Sequence, residues 1–408
     1  MNCGLLGEKL SHSYSPAIHA RLGDYAYRLY EKRPEELEDF LRSGDWDGLN
    51  VTIPYKKAVL PFCTQLGENA RRIGSVNTLL RLPGGGILGE NTDAFGFDRL
   101  LCRASIEPRG RKALVFGSGG ASAAVRAVLE ARGAASVTVI SRGGKDNYGN
   151  LSRHADAEIL VNATPLGMYP SNGAAPVSLK AFPRCLGVVD LVYNPARTAL
   201  LLEAEALGVP HAGGLFMLVA QAKRSAELFL GRVIPDDEIA RIERALSFEM
   251  QNIVLIGMPG SGKSTLARLL SGALGRDCLE SDAEIERAAG KPIPAIFETE
   301  GEDAFRTRET QILTELGKRS GAVIATGGGC VTRAENYSLL HQNGVLVWLR
   351  RDTDKLEKTG RPISLRSDLK ELYAQRAPLY ERFCDFAVSN DGTPEETLRQ
   401  LLEKLKAE

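Results

Sequence analysis

The 408-residue chain carries 51 Lys+Arg against 51 Asp+Glu, with 43% hydrophobic and 25% charged residues. Balanced charge leaves no electrostatic footprint for nucleic acid or an anionic membrane, and no apolar run approaches the roughly 18 residues of a membrane span. The seven cysteines form no Cys-x-x-Cys pair and the five histidines no metal-ligand spacing, which argues for reduced thiols, no zinc site and a cytoplasmic location. Met1 to Gly7 has neither a basic region nor a cleavage pattern, so no export signal is expected. The length suits two or three domains.

Up to about residue 100, short β-like runs (Leu49 to Ile53, Val76 to Leu80) alternate with helical ones such as Pro34 to Leu41. Three polar clusters interrupt them. Ser11-His12-Ser13-Tyr14-Ser15-Pro16 puts hydroxyls before a helix start, where Ser15 suits either an N-cap or a ligand. Asn50 to Lys57 places Asn50 and Thr52 on one strand face, with Lys56 just past the strand end. Glu90-Asn91-Thr92-Asp93 precedes another helix and reads equally as a cap or a site.

The next stretch is plainer. Lys112 to Phe116 has the pattern of a buried strand, followed by Gly117-Ser118-Gly119-Gly120-Ala121-Ser122 and a helical run, Ala123 to Arg132. A second strand, Ser136 to Ile140, ends in Ser141-Arg142. This is a βαβ unit with a glycine-rich first turn, in which a dinucleotide's pyrophosphate caps the helix. Ser122 stands where the fingerprint has Gly or Ala. Where an NAD-binding unit carries an acid for the ribose diol, this chain has Ser141 and Arg142, suited to a 2′-phosphate. Asn162 to Met168 and Asp190 to Pro195 follow two more strands. Gly213-Gly214 opens a helix bearing Met217 and Gln221, the latter a satisfied polar residue or a ligand contact.

Taken together, Ser13-x-Ser15-Pro16, Asn50-Val51-Thr52-x-Pro54-x-Lys56, Ser75 to Thr78, Asn91 to Asp93, Gly117 to Ser122, Asn162 to Met168, Asp190 to Pro195 and Gly213 to Ala222 resemble the shikimate dehydrogenase family. The resemblance covers residues 1–247. It implies a substrate lobe of about 1–100 plus 223–247 and a Rossmann NADP-binding lobe of about 101–222. Lys56 and Asp93 would be the catalytic pair, and Ser13, Ser15, Thr52, Asn77, Asp93 and Gln221 would hold shikimate. Gly117, Ser118, Gly119, Gly120, Ala121, Ser141, Arg142, Thr164 and Met217 would line the NADP(H) site. Gly144 to Ala155 is short for a crossover helix.

Residues 236–250 read as an amphipathic helix through Ile239, Ile242 and Leu246, running out at Ser247, with a strand from Asn252 to Ile256 almost at once. Then comes Gly257-Met258-Pro259-Gly260-Ser261-Gly262-Lys263-Ser264-Thr265, which fits GxxxxGK[ST] between an apolar run and an amphipathic one. Strand, glycine loop and helix start make a cradle of backbone N–H groups for ATP phosphates. Lys263 adds charge at the β/γ-phosphates, and the Ser264 hydroxyl suits Mg²⁺. With Gly260, Ser261, Gly262 and Thr265 they form the nucleotide site. Because such a loop follows the first strand of its domain, the chain holds at least two proteins. Further on stand Glu280-Ser281-Asp282, Phe305-Arg306, Thr326 to Cys330, Gly360-Arg361-Pro362 and Gln375 to Tyr380. Arginines beside proline or aromatic anchors point to an anionic second substrate.

That set resembles the shikimate kinase family over 251–408, an α/β P-loop domain with a parallel sheet. The resemblance implies that Asp282 binds the ring hydroxyls and helps deprotonate the attacking one. Arg306 and Arg376 hold the carboxylate, Gly328 and Gly329 give backbone contacts, and Arg361 belongs to a lid over the transferring phosphoryl. Glu280 replaces the family's aspartate near the metal. The expected protein therefore reduces 3-dehydroshikimate and phosphorylates the shikimate formed. The rivals are a quinate/shikimate dehydrogenase joined to another small-molecule P-loop kinase, and a non-catalytic sensor of nucleotide and shikimate.

Overall fold

The computed structural model describes residues 1–10, 13–356 and 369–407. They divide into two compact units, Met1–Leu246 and Ser247–Glu408. Among the described residues no helix is long and apolar enough to cross a membrane, and all seven cysteines are free thiols.

The first unit holds two sheets. Strands β1 (Asn2–Gly7), β2 (Ala26–Glu31), β3 (Gly48–Val51), β4 (Gln65–Leu66), β5 (Thr78–Arg81) and β6 (Ile87–Glu90) form a mixed sheet in the order β2-β1-β3-β5-β6-β4. β1 pairs in parallel with β2 and β3, while β5 runs antiparallel to β3 and β6. The second sheet comprises β7 (Lys112–Phe116), β8 (Ser136–Ile140), β9 (Ile159–Asn162), β10 (Gly187–Asp190) and β11 (His211–Ala212). It is wholly parallel, in the order β11-β10-β9-β7-β8. Counted from β7 this is 2-1-3-4-5, whose switch point lies between β7 and β9; ligands of such sheets sit beyond the strand ends there. Burial on both faces explains the unbroken apolar runs: Ala113 and Val115 of β7 enter one core, Leu114 and Phe116 the other.

Several boundaries differ from the expected ones. β3 ends at Val51, so Thr52 lies just past the strand, its N–H donating to Leu6 O at 2.9 Å. Ser15 is the first residue of the helix Ser15–Leu22 rather than its cap; Tyr14 occupies the cap position, and Ser13 Oγ accepts from Ser15 N–H at 3.2 Å. Between β8 and β9 the chain makes only a 3₁₀ segment, Tyr148–His154, in keeping with the shortness of that crossover. The lobe border expected near residue 222 falls inside one unbroken helix, Leu215–Leu230. Its packing explains the continuity. A Cβ built on Gly96, in the helix Asp93–Arg103, would stand 2.7 Å from Met217 O and 3.1 Å from Gln221 Cβ, so the two helices meet through a glycine gap.

The helix Asp237–Met250 continues three residues past the expected Ser247, leaving Gln251 alone before β12 (Asn252–Ile256). The second unit continues with β13 (Cys278–Glu280), β14 (Val323–Ala325), β15 (Gly344–Arg350) and β16 (Phe386–Ser389), parallel in the order β13-β14-β12-β15-β16. Here the first strand is central, and its end opens between β14 and β15. Ile253 and Leu255 of β12 enter one core, Val254 and Ile256 the other. The long helix Ile293–Gly317 is interrupted by Gly301, whose φ of 83° departs from helix geometry.

Candidate active sites

In the first unit, Lys56 Nζ donates to Asp93 Oδ2 at 2.6 Å. Asp93 opens the helix Asp93–Arg103, where the macrodipole favours a carboxylate, and its other oxygen accepts from Asn77 Nδ2 at 2.9 Å. Asn77 is itself fixed, because its Oδ1 accepts the Thr92 N–H at 2.7 Å. Gln221 Oε1 reaches Asn77 Nδ2 at 3.5 Å from the helix Leu215–Leu230, and its Nε2 donates to Leu218 O at 2.8 Å. Behind these groups runs a buried hydroxyl and amide network. Asn50 Nδ2 donates to Ser225 Oγ at 2.8 Å, Tyr27 OH donates to Asn50 Oδ1 at 2.8 Å, and Ser225 Oγ shares hydrogen bonds with Thr78 at 2.8 Å and Thr92 at 3.0 Å. A satisfied network of this kind holds its members in one geometry. Ser13 and Thr52 are half-buried and Ser15 is buried.

The glycine turn lies against this pair. A Cβ on Gly120 would stand 3.2 Å from Lys56 Cδ, so the start of the helix Gly120–Ala131 faces the lysine stem. Gly119 is its cap residue and no side chain caps it, leaving N–H groups for an anion. Gly117 has φ 105°, and a Cβ there would meet Ala163 O at 2.9 Å and Thr164 Cγ2 at 3.0 Å. This contact is the β7/β9 switch point. Thr164 Oγ1 donates to Asn162 Oδ1 at 2.6 Å. Ser118 is exposed and Ala121 half-buried, while Ser141 and Arg142 follow β8 with Arg142 exposed. Asp146, the first acid after the strand, is paired with His154 at 2.9 Å. Met217 is 7% exposed and packs in the core, so its side chain offers a ligand little surface.

In the second unit a cavity of about 610 Å³ is lined by Gly260, Gly262, Lys263, Ser264 and Thr265 together with Asp282, Arg306, Gly328, Gly329 and Arg376. Lys263 Nζ donates to Gly257 O at 2.8 Å and Met258 O at 2.9 Å, curling over the start of its own loop. Gly257, Gly260 and Gly262 take φ of 148°, 84° and 91°. Arg306 Nη1 donates to Glu309 Oε2 at 2.8 Å and Nη2 to Glu302 at 3.1 Å. Glu309 is buried, which pushes its carboxyl above the ordinary range, and Asp282 adds to the push. A Cβ on Gly327 would stand 2.7 Å from Asp282 Oδ1 and 2.8 Å from Glu309 Oε1. One on Gly329 would overlap the Arg306 guanidinium, so that glycine makes room for the arginine. Arg376 Nη1 and Tyr380 OH donate to Gly328 O at 3.1 and 2.5 Å. Arg361 lies outside the described residues.

Ser264 and Glu280, the pair expected to hold magnesium, offer a hydroxyl and a carboxylate oxygen. Burial raises the Glu280 carboxyl, but hydrogen bonds from Ser264 and Arg268 outweigh it and hold the group below the ordinary range. An ionised carboxylate beside a hydroxyl fits a hard cation that keeps most of its waters. Arg268 Nη2 also donates to Glu280 Oε1 at 2.7 Å, so the carboxylate is shared. Among the described residues no group of three or more His, Cys, Asp or Glu side chains could hold a metal ion.

Reading by motif missed three positions. Glu309 stands three residues after Arg306, a helical spacing that signals a pair. Asn390 Nδ2 donates to Ser261 O at 2.7 Å across 129 residues, and Ser225 knits the first site across 175 and 147 residues to Asn50 and Thr78. No local signal announces either.

A match to the shikimate kinase family covers residues 259–406, and one to the shikimate dehydrogenase substrate binding domain covers residues 5–79. The NADP(+) shikimate dehydrogenase of Methanopyrus kandleri is 39% identical over 265 residues, 57% of this chain and 91% of that protein. Its counterpart from Halothermothrix orenii is 36% identical over 279 residues, 60% of this chain and 95% of that protein. Among solved structures, a chorismate mutase/shikimate 5-dehydrogenase fusion protein from Clostridium acetobutylicum is 36% identical with a TM-score of 0.57, covering 60% of this chain and 96% of its own. The shikimate 5-dehydrogenase of Thermus thermophilus, in complex with NADP(H) and shikimate, is 32% identical with a TM-score of 0.55, covering 60% and 99%.

Proposed function

We infer from a chain that belongs to the shikimate dehydrogenase family, and carries a shikimate kinase domain after it, that two consecutive steps are performed. The first unit reduces 3-dehydroshikimate with NADPH; the second phosphorylates shikimate from ATP. The observation that carries the reading is the pairing of Lys56 with Asp93 at 2.6 Å beside the glycine turn. NADPH, bound on that turn, supplies the hydride. Lys56 then delivers a proton to the oxygen that gains charge, and Asp93 keeps the ammonium aimed at it. Asn77 and Gln221 orient the ring through its hydroxyls. Arg142, with no acid beside it at the end of β8, favours the 2′-phosphate of NADP over NAD.

In the second unit, Asp282 takes the proton of the attacking hydroxyl. Arg306 and Arg376 clamp the carboxylate, and Lys263 neutralises the triphosphate. Ser264 and Glu280 would hold Mg²⁺, which when bound supplies further positive charge against the phosphates. A non-catalytic sensor would have no need of these groups, and each is retained. The units are taken as residues 1–247 and 251–408, working on small molecules in the cytoplasm. Giving the full chain 3-dehydroshikimate, NADPH and MgATP should yield shikimate 3-phosphate. Accumulation of shikimate without its phosphate would refute the kinase half, and no NADPH oxidation the reductase half.

A further inference from the structure

Arg351 is absent from every motif that identified the second unit. It is the residue directly after β15, beside the opening at the end of β12 where the phosphate loop begins. Its side chain lines the same cavity as Lys263, Asp282 and Arg306. A Cβ built on Gly262 would stand 3.4 Å from Arg351 Nη1 and 2.5 Å from Asn390 Nδ2. Guanidinium and amide therefore wall the last glycine of the loop. Asn390 is already committed, donating to Ser261 O and accepting from Thr397 Oγ1 at 2.8 Å. Arg351 is not: among the described residues it forms no ion pair, and its buried Nε has no hydrogen-bond partner. Its acidic neighbour Asp391 is instead held by the Asp352 N–H and by Ser389 Oγ, each at 2.8 Å.

A half-buried guanidinium with unspent donors, set against a loop built to receive anions, is an electrostatic arrangement that a bound phosphate completes. Position along the loop says which phosphate. Lys263 Nζ lies over the loop's start, at Gly257 and Met258, and its stem reaches the β/γ end. Arg351 stands at the loop's closing glycine, where backbone N–H groups cradle the α/β-phosphates. We propose that Arg351 is a second nucleotide-binding cation, donating to the α/β-phosphate oxygens from the side of the loop opposite Lys263.

This rests on the kinase assignment, and nucleotide binding tests it separately from turnover. In the full chain, Arg351→Ala should weaken ADP binding by about tenfold or more, measured by calorimetry, and raise KM for ATP in parallel. Adenosine affinity and KM for shikimate should not change. Arg351→Lys should recover part of the loss, since it restores charge without the planar fork. The unchanged KM for shikimate reports that the second unit, which carries Arg351, has folded. Unchanged ADP affinity would overturn the proposal. An equal loss for adenosine would also overturn it, placing the guanidinium against the base. Wild-type protein that binds ADP yet leaves shikimate unphosphorylated would fail the kinase assignment alone.

Discussion

His19 shows how a single buried ring ties the dehydrogenase site to pH. Its Nδ1 meets Tyr25 OH at 2.6 Å, and its ring stacks on Tyr27 with centroids 3.9 Å apart. Tyr27 in turn donates to Asn50 of the site network. Burial pushes the imidazole down to about 3 from the ordinary 6.5. The unfolded chain takes up its proton near the ordinary value and the folded chain does not until about 3. The stability that the neutral His19 contributes to the first unit is therefore complete above pH 6.5 and is lost progressively as pH falls toward 3. The slope approaches roughly 1.4 kcal/mol per pH unit once the unfolded histidine is charged. Urea unfolding over roughly two and a half pH units, from about 7.5 to about 5, should approach that slope at its acid end, followed through Trp46 of the first unit in a Trp348→Phe background that silences the tryptophan of the second. His19→Gln should flatten it, and an unaltered slope would assign the acid sensitivity elsewhere. The neighbouring residues were only half legible beforehand. Lys56 and Asp93 announce themselves by motif, whereas Ser225 reveals nothing until its helix crosses β5.

At the scale of elements, legibility followed burial. β7 and β12 match their expected spans because sheets covered on both faces demand continuous apolar runs, while the half-exposed edge strand β8 matches through its β-branched Val, Thr and Ile residues. The phosphate loop was equally plain, since its glycines occupy backbone angles that side chains rarely adopt. Helix ends were less legible, because capping depends on what each end meets in space. One close packing in the first unit is also not advertised by the sequence: Gly96 lets the helices bearing Asp93 and Gln221 touch. Gly96→Ala would force Met217 O away, at a cost of about 1–3 kcal/mol for overpacking. The expected result is a lower Tm for the first unit and a raised KM for shikimate in the dehydrogenase assay, with phosphorylation unaffected. A variant with wild-type KM would show that the spacing of these helices does not set the site.

For the whole molecule, the two chemistries proposed for separate residues should separate by mutation. Lys263→Met removes the charge over the phosphate loop and should reduce phosphorylation by at least about 100-fold while shikimate oxidation continues. Lys56→Ala should do the reverse, to a comparable degree of about 100-fold. Loss of both activities from either change, in a folded chain, would contradict two independent sites. The seven free thiols carry a different consequence. Burial pushes Cys3 and Cys330 up to about 12 and Cys63 to about 11, and raises Cys185, Cys278 and Cys384 as well. Alkylation needs the thiolate. The exposed thiol is Cys102, whose sulfur accepts from Arg132 Nη2 at 2.8 Å. A maleimide dye at neutral pH should therefore enter first at Cys102, as peptide mapping would show. That dye would ride on the helix that Asp93 begins, an optical reporter of shikimate binding in one enzyme that leaves the other unmarked.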